Sequence, residues 1–181
     1  MPTVLVPLAQ GCEELEAVTL IDLLRRAEVK VVVAGLEAGP VTASRGVVLQ
    51  PEVTLDEVLT QDFDMIVLPG GAGGAQRLEE DHRIISLLQR LASQGRYTAA
   101  ICAAPKVLAT AGLLQGREAT AYPGILDKLS DLQLSSAAVV QDGQVITSRG
   151  PGTAMDFALT LITVLCGRDK RNTVEVALQR P

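Results

Sequence analysis

Short apolar runs alternate along this chain with stretches of helical period, and that alternation predicts the fold. Val4 to Leu8 reads as a first strand. Glu13 to Ala27 reads as a helix, with Glu13 and Glu14 near its start and Arg25 and Arg26 in its last turn, matching the macrodipole. Val29 to Ala34 is a second apolar strand, and Val41 to Val48 is hairpin material around Ser44-Arg45-Gly46. Met65 to Leu68 predicts a third core strand ending in Pro69-Gly70-Gly71. Asp81 to Ser93 is helical, Tyr97 to Ile101 is a strand, and Lys106 to Leu114 is a helical run interrupted by Gly112. Val145 to Thr147 is a short late strand. Thr153 to Leu165 is a last core helix, opened by a box-like Thr153-x-x-Asp156. Strands this apolar, separated by helices, predict an α/β fold: a mainly parallel central sheet with helices on both faces. No repeat, low-complexity segment or linker divides the chain, so residues 1–181 are expected to form one domain.

In such sheets ligands gather at the carboxyl ends of the strands. That edge should carry Leu8 to Glu16, Pro69 to Ala75, Cys102 and Ser148 to Thr153. Cys102 stands where the strand Tyr97 to Ile101 runs straight into a helix whose first turn accepts Pro105. This is the logic of a nucleophile elbow with Cys in place of Ser, the small Ala100 and Ala104 leaving room for the turn. A sulfur there faces free N–H groups that favour a thiolate. A buried structural cysteine fits the same segment, since free Cys is among the most buried residue types. Glu16, Leu20, Leu23, Leu24 and Ala27 share one helix face. A carboxyl group thus lies in line with a buried stripe and should have a raised pKa, unless the stripe's edge lets it reach water. Glu13 and Glu14 read as solvated charges.

The loop Pro69-Gly70-Gly71-Ala72-Gly73-Gly74 lacks the Lys and Ser/Thr of a phosphate loop. It suits an oxyanion site, with the Gly71 and Ala103 N–H groups flanking the sulfur, or an ordinary tight turn. Ser148-Arg149-Gly150-Pro151-Gly152-Thr153 is another turn before a helix, with Pro151 a candidate pocket residue. The single histidine, His82, lies in the charged run Glu79 to Arg83 and reads as a surface residue, so Cys102 has no imidazole base.

Composition narrows the function classes. Of 181 residues 48% are hydrophobic but only 2% aromatic, so the core must be Val, Leu, Ile and Ala. The net charge of −5 and the absence of a basic stripe argue against nucleic-acid binding. No apolar run approaches membrane-spanning length. Cys12, Cys102 and Cys166 lie far apart, without metal-type or CxxC spacing. Together these predict a soluble protein of a reducing compartment, the cytoplasm, with no metal.

Four segments together resemble the ThiJ/PfpI superfamily and, within it, the parkinsonism-associated deglycase branch in a bacterial-type form. They are Gly11 to Ala17, Val67 to Gly71, Ala99 to Pro105 and Thr147 to Thr153. The resemblance implies a flavodoxin-like three-layer sandwich and a homodimer. It implies Cys102 as nucleophile and redox centre, Glu16 as its protonated partner, and Gly71 and Ala103 as backbone donors, with Gly70 lining the site. Arg45 matches an arginine near the reactive cysteine, and Arg26 is a weaker candidate of that kind. Tyr122 stands where several relatives place a histidine, and a phenol is a poor base at neutral pH.

The activity so implied is a cofactor-independent glyoxalase or deglycase acting on methylglyoxal-like 2-oxoaldehydes or their protein adducts. The alternatives are a redox sensor or redox-regulated chaperone using a Cys102 sulfinate, and a peptidase- or amidase-like hydrolase, which Tyr122 disfavours.

Overall fold

The computed structural model describes residues 1–181. Its centre is a seven-stranded sheet. The strands are β1 (Thr3–Leu8), β2 (Lys30–Gly35), β5 (Val53–Thr54), β6 (Met65–Leu68), β7 (Tyr97–Ile101), β10 (Val139–Asp142) and β11 (Val145–Ser148). They lie in the order β10-β11-β7-β6-β1-β2-β5, parallel except where β10 runs antiparallel to β11. Two small pairs lie outside it: the hairpin β3 (Val41–Thr42) with β4 (Val48–Leu49), and β8 (Glu118–Ala119) with β9 (Gln133–Leu134).

Alternation along each strand sends side chains to two cores. From β1, Val4, Val6 and Leu8 face α1 (Glu14–Arg26), α5 (Ala154–Cys166) and α6 (Arg168–Ala177). Leu5, with Ile66 and Leu68 of β6, faces α2 (Ala72–Glu80), α3 (His82–Ser93) and α4 (Pro105–Thr110). This is the sandwich expected from the apolar strands, and both faces are covered as parallel sheets require. No helix is long and apolar enough to cross a membrane.

Some boundaries differ from the pattern. α2 forms over Ala72 to Glu80 although Gly73 and Gly74 are poor helix formers. The reason is tertiary: a Cβ at Gly74 would lie 2.6 Å from Cys12 Cα, so only glycine lets this turn pack against the loop after β1. The run from Lys106 is helical only to Thr110. α6 was not signalled, because its polar sequence buries only Val174. Its charged side chains instead reach other elements, Lys170 pairing with Glu28. Thr153 does not cap α5; its hydroxyl is engaged elsewhere.

Strand order places the functional edge. From β1 the chain passes through α1 to β2 on one side, and β6 later enters on the other side of β1. The carboxyl ends of β1 and β6 therefore flank a topological switch point, where loops diverge and leave a crevice. α1 starts on one side of that crevice and the loop Pro69 to Gly71 on the other, with Cys102 at the end of neighbouring β7.

Candidate active site

Glu16 lies one turn into α1 and is wholly buried, as are Leu20, Leu24 and, almost completely, Leu23 and Ala27 on the same face. The carboxyl group has been carried into the core by the helix that bears it. Glu16 Oε2 accepts the Gly70 N–H at 2.7 Å. Its other oxygen, Oε1, is buried without a hydrogen-bond partner, and the Cys102 thiol acts on the carboxyl from beside it. Burial, the leading cause, raises the carboxyl from 4.5 to about 7, against the Gly70 and Cys102 contacts that lower it.

Gly70 is the spacer between acid and thiol. A Cβ there would lie 2.7 Å from both Cys102 Cβ and Glu16 Oε2, and 2.9 Å from Ile101 O. Gly71 adopts φ +85°, and a Cβ there would come within 2.5 Å of Gly11 O and 2.6 Å of Glu13 N. The loops after β1 and β6 thus touch backbone to backbone, joined by Glu13 N–H donating to Gly70 O at 2.9 Å and Gly74 N–H donating to Gly11 O at 3.1 Å.

Cys102 is 9% exposed and has φ +65°. That left-handed conformation in a non-glycine residue costs about 1–3 kcal/mol and persists only where the surroundings over-determine it. It turns the sulfur toward Glu16 and toward the N–H groups of Gly71 and Ala103. Burial first, then the charge and acceptor role of Glu16, push the thiol from 9.0 up to about 12, while the two N–H groups pull it down.

The sequence leads us to expect a neutral Glu16 that favours the thiolate; a charged Glu16 instead raises the thiol. Each group's ionisation opposes the other's, so the two titrations are coupled, with the carboxyl and the thiol both raised.

The other sequence candidates divide. Tyr122 is 53% exposed, and it reaches the site through its backbone, its N–H donating to Cys102 O at 2.9 Å. Its ring stands over Gly150, where a Cβ would meet Tyr122 Cδ2 at 3.4 Å. Pro151 opens a short helical turn, Pro151–Thr153, at the same mouth. Arg45 is exposed, and its guanidinium makes no hydrogen bond or ion pair within the chain; only its N–H is engaged, donating to Glu14 Oε1 at 2.8 Å. Arg26 lies at the far end of α1 and pairs with Asp22 at 2.9 Å. His82 is exposed on α3, as its charged surroundings predict.

Glu14 is the second correction. It is buried, and it accepts the Ser44 hydroxyl at 2.9 Å and the Arg45 N–H, tying the β3–β4 hairpin to the start of α1. Burial opposes its charge, but its own backbone N–H and these contacts outweigh that and hold the carboxyl below its usual range. Cys12 is fully buried with its thiol pushed up to about 11, first by burial and then by Glu14. Cys166, half-buried in α5, is also raised by burial. Of the three thiols, only Cys102 has backbone N–H groups from a second loop facing its sulfur.

No group of three or more His, Cys, Asp or Glu side chains is arranged to hold a metal ion. A surface hollow of about 480 Å³ lies at the opposite, amino edge of the sheet, between Met1, Asp64, Arg96 and Leu165, away from Cys102.

Comparison with known proteins agrees with this fold. Residues 2–164 match the DJ-1/PfpI family. Protein DJ-1 homolog A of Arabidopsis thaliana is 46% identical over 171 residues, which is 93% of this chain and 44% of that protein. The chain therefore spans less than half the length of that plant relative. Protein dj-1beta of Drosophila melanogaster is 44% identical over 177 residues, covering 96% of this chain and 95% of the relative. Its crystal structure superposes with a TM-score of 0.96 at 43% identity, over 99% of this chain and 98% of the other. A Caenorhabditis elegans protein named glutathione-independent glyoxalase DJR-1.2 is 36% identical over 168 residues, 91% of this chain and 89% of its own. The structure of Toxoplasma gondii DJ-1, described as oxidized, has a TM-score of 0.95 at 40% identity, over 98% of each chain. These relatives are eukaryotic and do not support a specifically bacterial type.

Proposed function

The chain belongs to the DJ-1 branch of the DJ-1/PfpI family, and on that footing we propose that it is a cysteine-dependent stress-protective protein with glyoxalase-type activity. Its Cys102–Glu16 pair would convert 2-oxoaldehydes, methylglyoxal above all, into 2-hydroxy acids without a separate cofactor. Early adducts of such aldehydes on proteins are the related deglycase substrates. The observation that carries this reading is a fully buried carboxyl beside a buried thiol, with two N–H groups aimed at the sulfur. The name of the nematode relative supports it.

In the reacting form a proton sits on Glu16 and the negative charge on sulfur, where the Gly71 and Ala103 N–H groups stabilise it. The thiolate adds to the aldehyde carbon, and the new alkoxide takes the Glu16 proton, leaving a hemithioacetal. The Glu16 carboxylate then removes the proton on that carbon and returns it to the neighbouring carbonyl carbon by way of an enediol. The product is a 2-hydroxy thioester, which water hydrolyses to the hydroxy acid and free Cys102. Methylglyoxal and water thereby become lactate, with no net oxidation. A carboxyl raised to about 7 suits both halves of this shuttle at neutral pH.

Incubation with methylglyoxal, with lactate measured directly, tests the reading. Wild type should form many lactates per chain and Cys102→Ser none. One aldehyde consumed per chain, without lactate, would reject turnover.

A second reading draws on the oxidized state of the Toxoplasma relative. Peroxide would take the Cys102 thiolate to sulfenate and then sulfinate, whose oxygens accept the protonated Glu16 and the loop N–H groups. Mild oxidant should then add two oxygens to Cys102 before Cys12 or Cys166, and equal oxidation of all three would reject it. A hydrolase is not favoured, since neither Tyr122 nor the surface His82 offers a base.

For the assembly we propose a homodimer through the side of the chain where α1 meets the β3–β4 hairpin. There Leu15, Val18, Val47 and Val48 are each about half exposed or more, and Arg45 is left without a partner.

A further inference from the structure

Glu28, Cys102 and Gln179 are the non-glycine residues with positive φ, and of these only Cys102 is buried. Two hydrogen bonds from outside its own strand hold that backbone. Its N–H donates to Ser148 O at 3.0 Å, and its carbonyl accepts the Tyr122 N–H at 2.9 Å.

Ser148 is itself fixed by a knot of hydroxyls. Ser148 Oγ donates to Ala138 O at 2.8 Å and lies 2.7 Å from Thr153 Oγ1. Thr153 Oγ1 accepts the Gly150 N–H at 3.1 Å and lies 2.9 Å from Gly150 O. Threonine at the start of a helix ordinarily caps it, yet this one leaves α5 without a side-chain cap and turns back to the strand end. Ser148 is fully buried. Satisfied polar networks of this kind rigidify what they hold.

We propose that Ser148 and Thr153 are positioning residues, holding the end of β11 so that Cys102 stays in its left-handed conformation with the sulfur against Glu16 and the Gly71 and Ala103 N–H groups. This rests on Cys102 being the reactive group. Neither hydroxyl touches the reactant; both act through the Ser148 carbonyl. Without the knot, Cys102 relaxes toward negative φ and its sulfur leaves its donors.

The test is the pH dependence of iodoacetamide labelling at each cysteine, read by mass spectrometry. Thr153→Val keeps the volume and removes the hydroxyl; Thr153→Ser keeps the hydroxyl. Thr153→Val should slow Cys102 labelling at pH 7 by about tenfold and move its midpoint toward that of a free thiol, while Thr153→Ser stays within about twofold of wild type. Cys12 should remain unlabelled in both, reporting an intact core. If Thr153→Val does not fold, Ser148→Ala decides on the same criteria. Wild-type rate and midpoint in the hydroxyl-deleted protein, or an equal fall in Thr153→Ser, overturns the proposal while leaving the reactive-cysteine reading standing. Wild-type Cys102 labelled no faster than Cys166 sinks both.

Discussion

Glu16→Gln removes one ionisation from the core and little else. The amide matches the carboxyl in size, can still accept the Gly70 N–H, and can still donate toward Cys102. In the wild type the folded state raises Glu16 from 4.5 to about 7, mainly because burial penalises the charged form. At roughly 1.4 kcal/mol per pH unit, this corresponds to about 3 kcal/mol. A group with a raised folded-state pKa contributes its stability below its unfolded value and loses it as pH rises through the folded one. Wild-type stability should therefore fall between about pH 4.5 and 7 on this account. Glu14, Glu28, Glu57 and Asp81 are lowered on folding, so their contributions are lost in acid, with the opposite sign. Subtracting the variant cancels them.

Urea unfolding of both proteins between pH 5 and 8 is the assay. The wild-type stability minus that of Glu16→Gln should drop by roughly 2–3 kcal/mol across that range. Linkage counts protons and not their location, so the result holds whether the lost proton leaves from oxygen or sulfur. A difference that stays flat to within about 0.5 kcal/mol would mean that Glu16 ionises without cost in the fold, and the argument from burial would be refuted.

Two further outcomes follow from the packing. Gly70→Ala would push a methyl group to 2.7 Å from both Cys102 Cβ and Glu16 Oε2. It should destabilise the fold by about 1–3 kcal/mol, seen as a fall in Tm of roughly 2–12 °C, and abolish lactate formation; turnover within twofold of wild type would contradict a spacer role. Val48→Glu should make the protein monomeric by light scattering while leaving its Tm nearly unchanged, and a persistent dimer would move the interface elsewhere.

Much of the site was legible because its signals are local. The stripe from Glu16 to Ala27 states that a carboxyl group lies on a buried helix face, and that face is buried as expected. The run from Tyr97 through Cys102 to Pro105 states a strand, a sharp turn and a helix start. What local pattern missed depends on contacts between distant segments. Glu14 looks like any first-turn acid until the hairpin closes on it through Ser44 and Arg45. α2 contradicts its glycines because Gly74 must approach Cys12. Thr153 looks like a helix cap and serves instead to hold Ser148. The ionisation of Cys102 is not local either: the N–H groups beside the sulfur lower the thiol, whereas its burial and a charged Glu16 from a distant helix raise it.

The charge on sulfur is therefore the quantity to measure. Ultraviolet absorbance of the thiolate, taken as the difference between wild type and Cys102→Ser, follows Cys102 ionisation across the pH range. If the proton rests on Glu16, as the proposed mechanism requires, thiolate should appear with a midpoint below the free-thiol value of about 8.5. One ionisation at the free-thiol value of about 8.5 or above, with no earlier step, would contradict it.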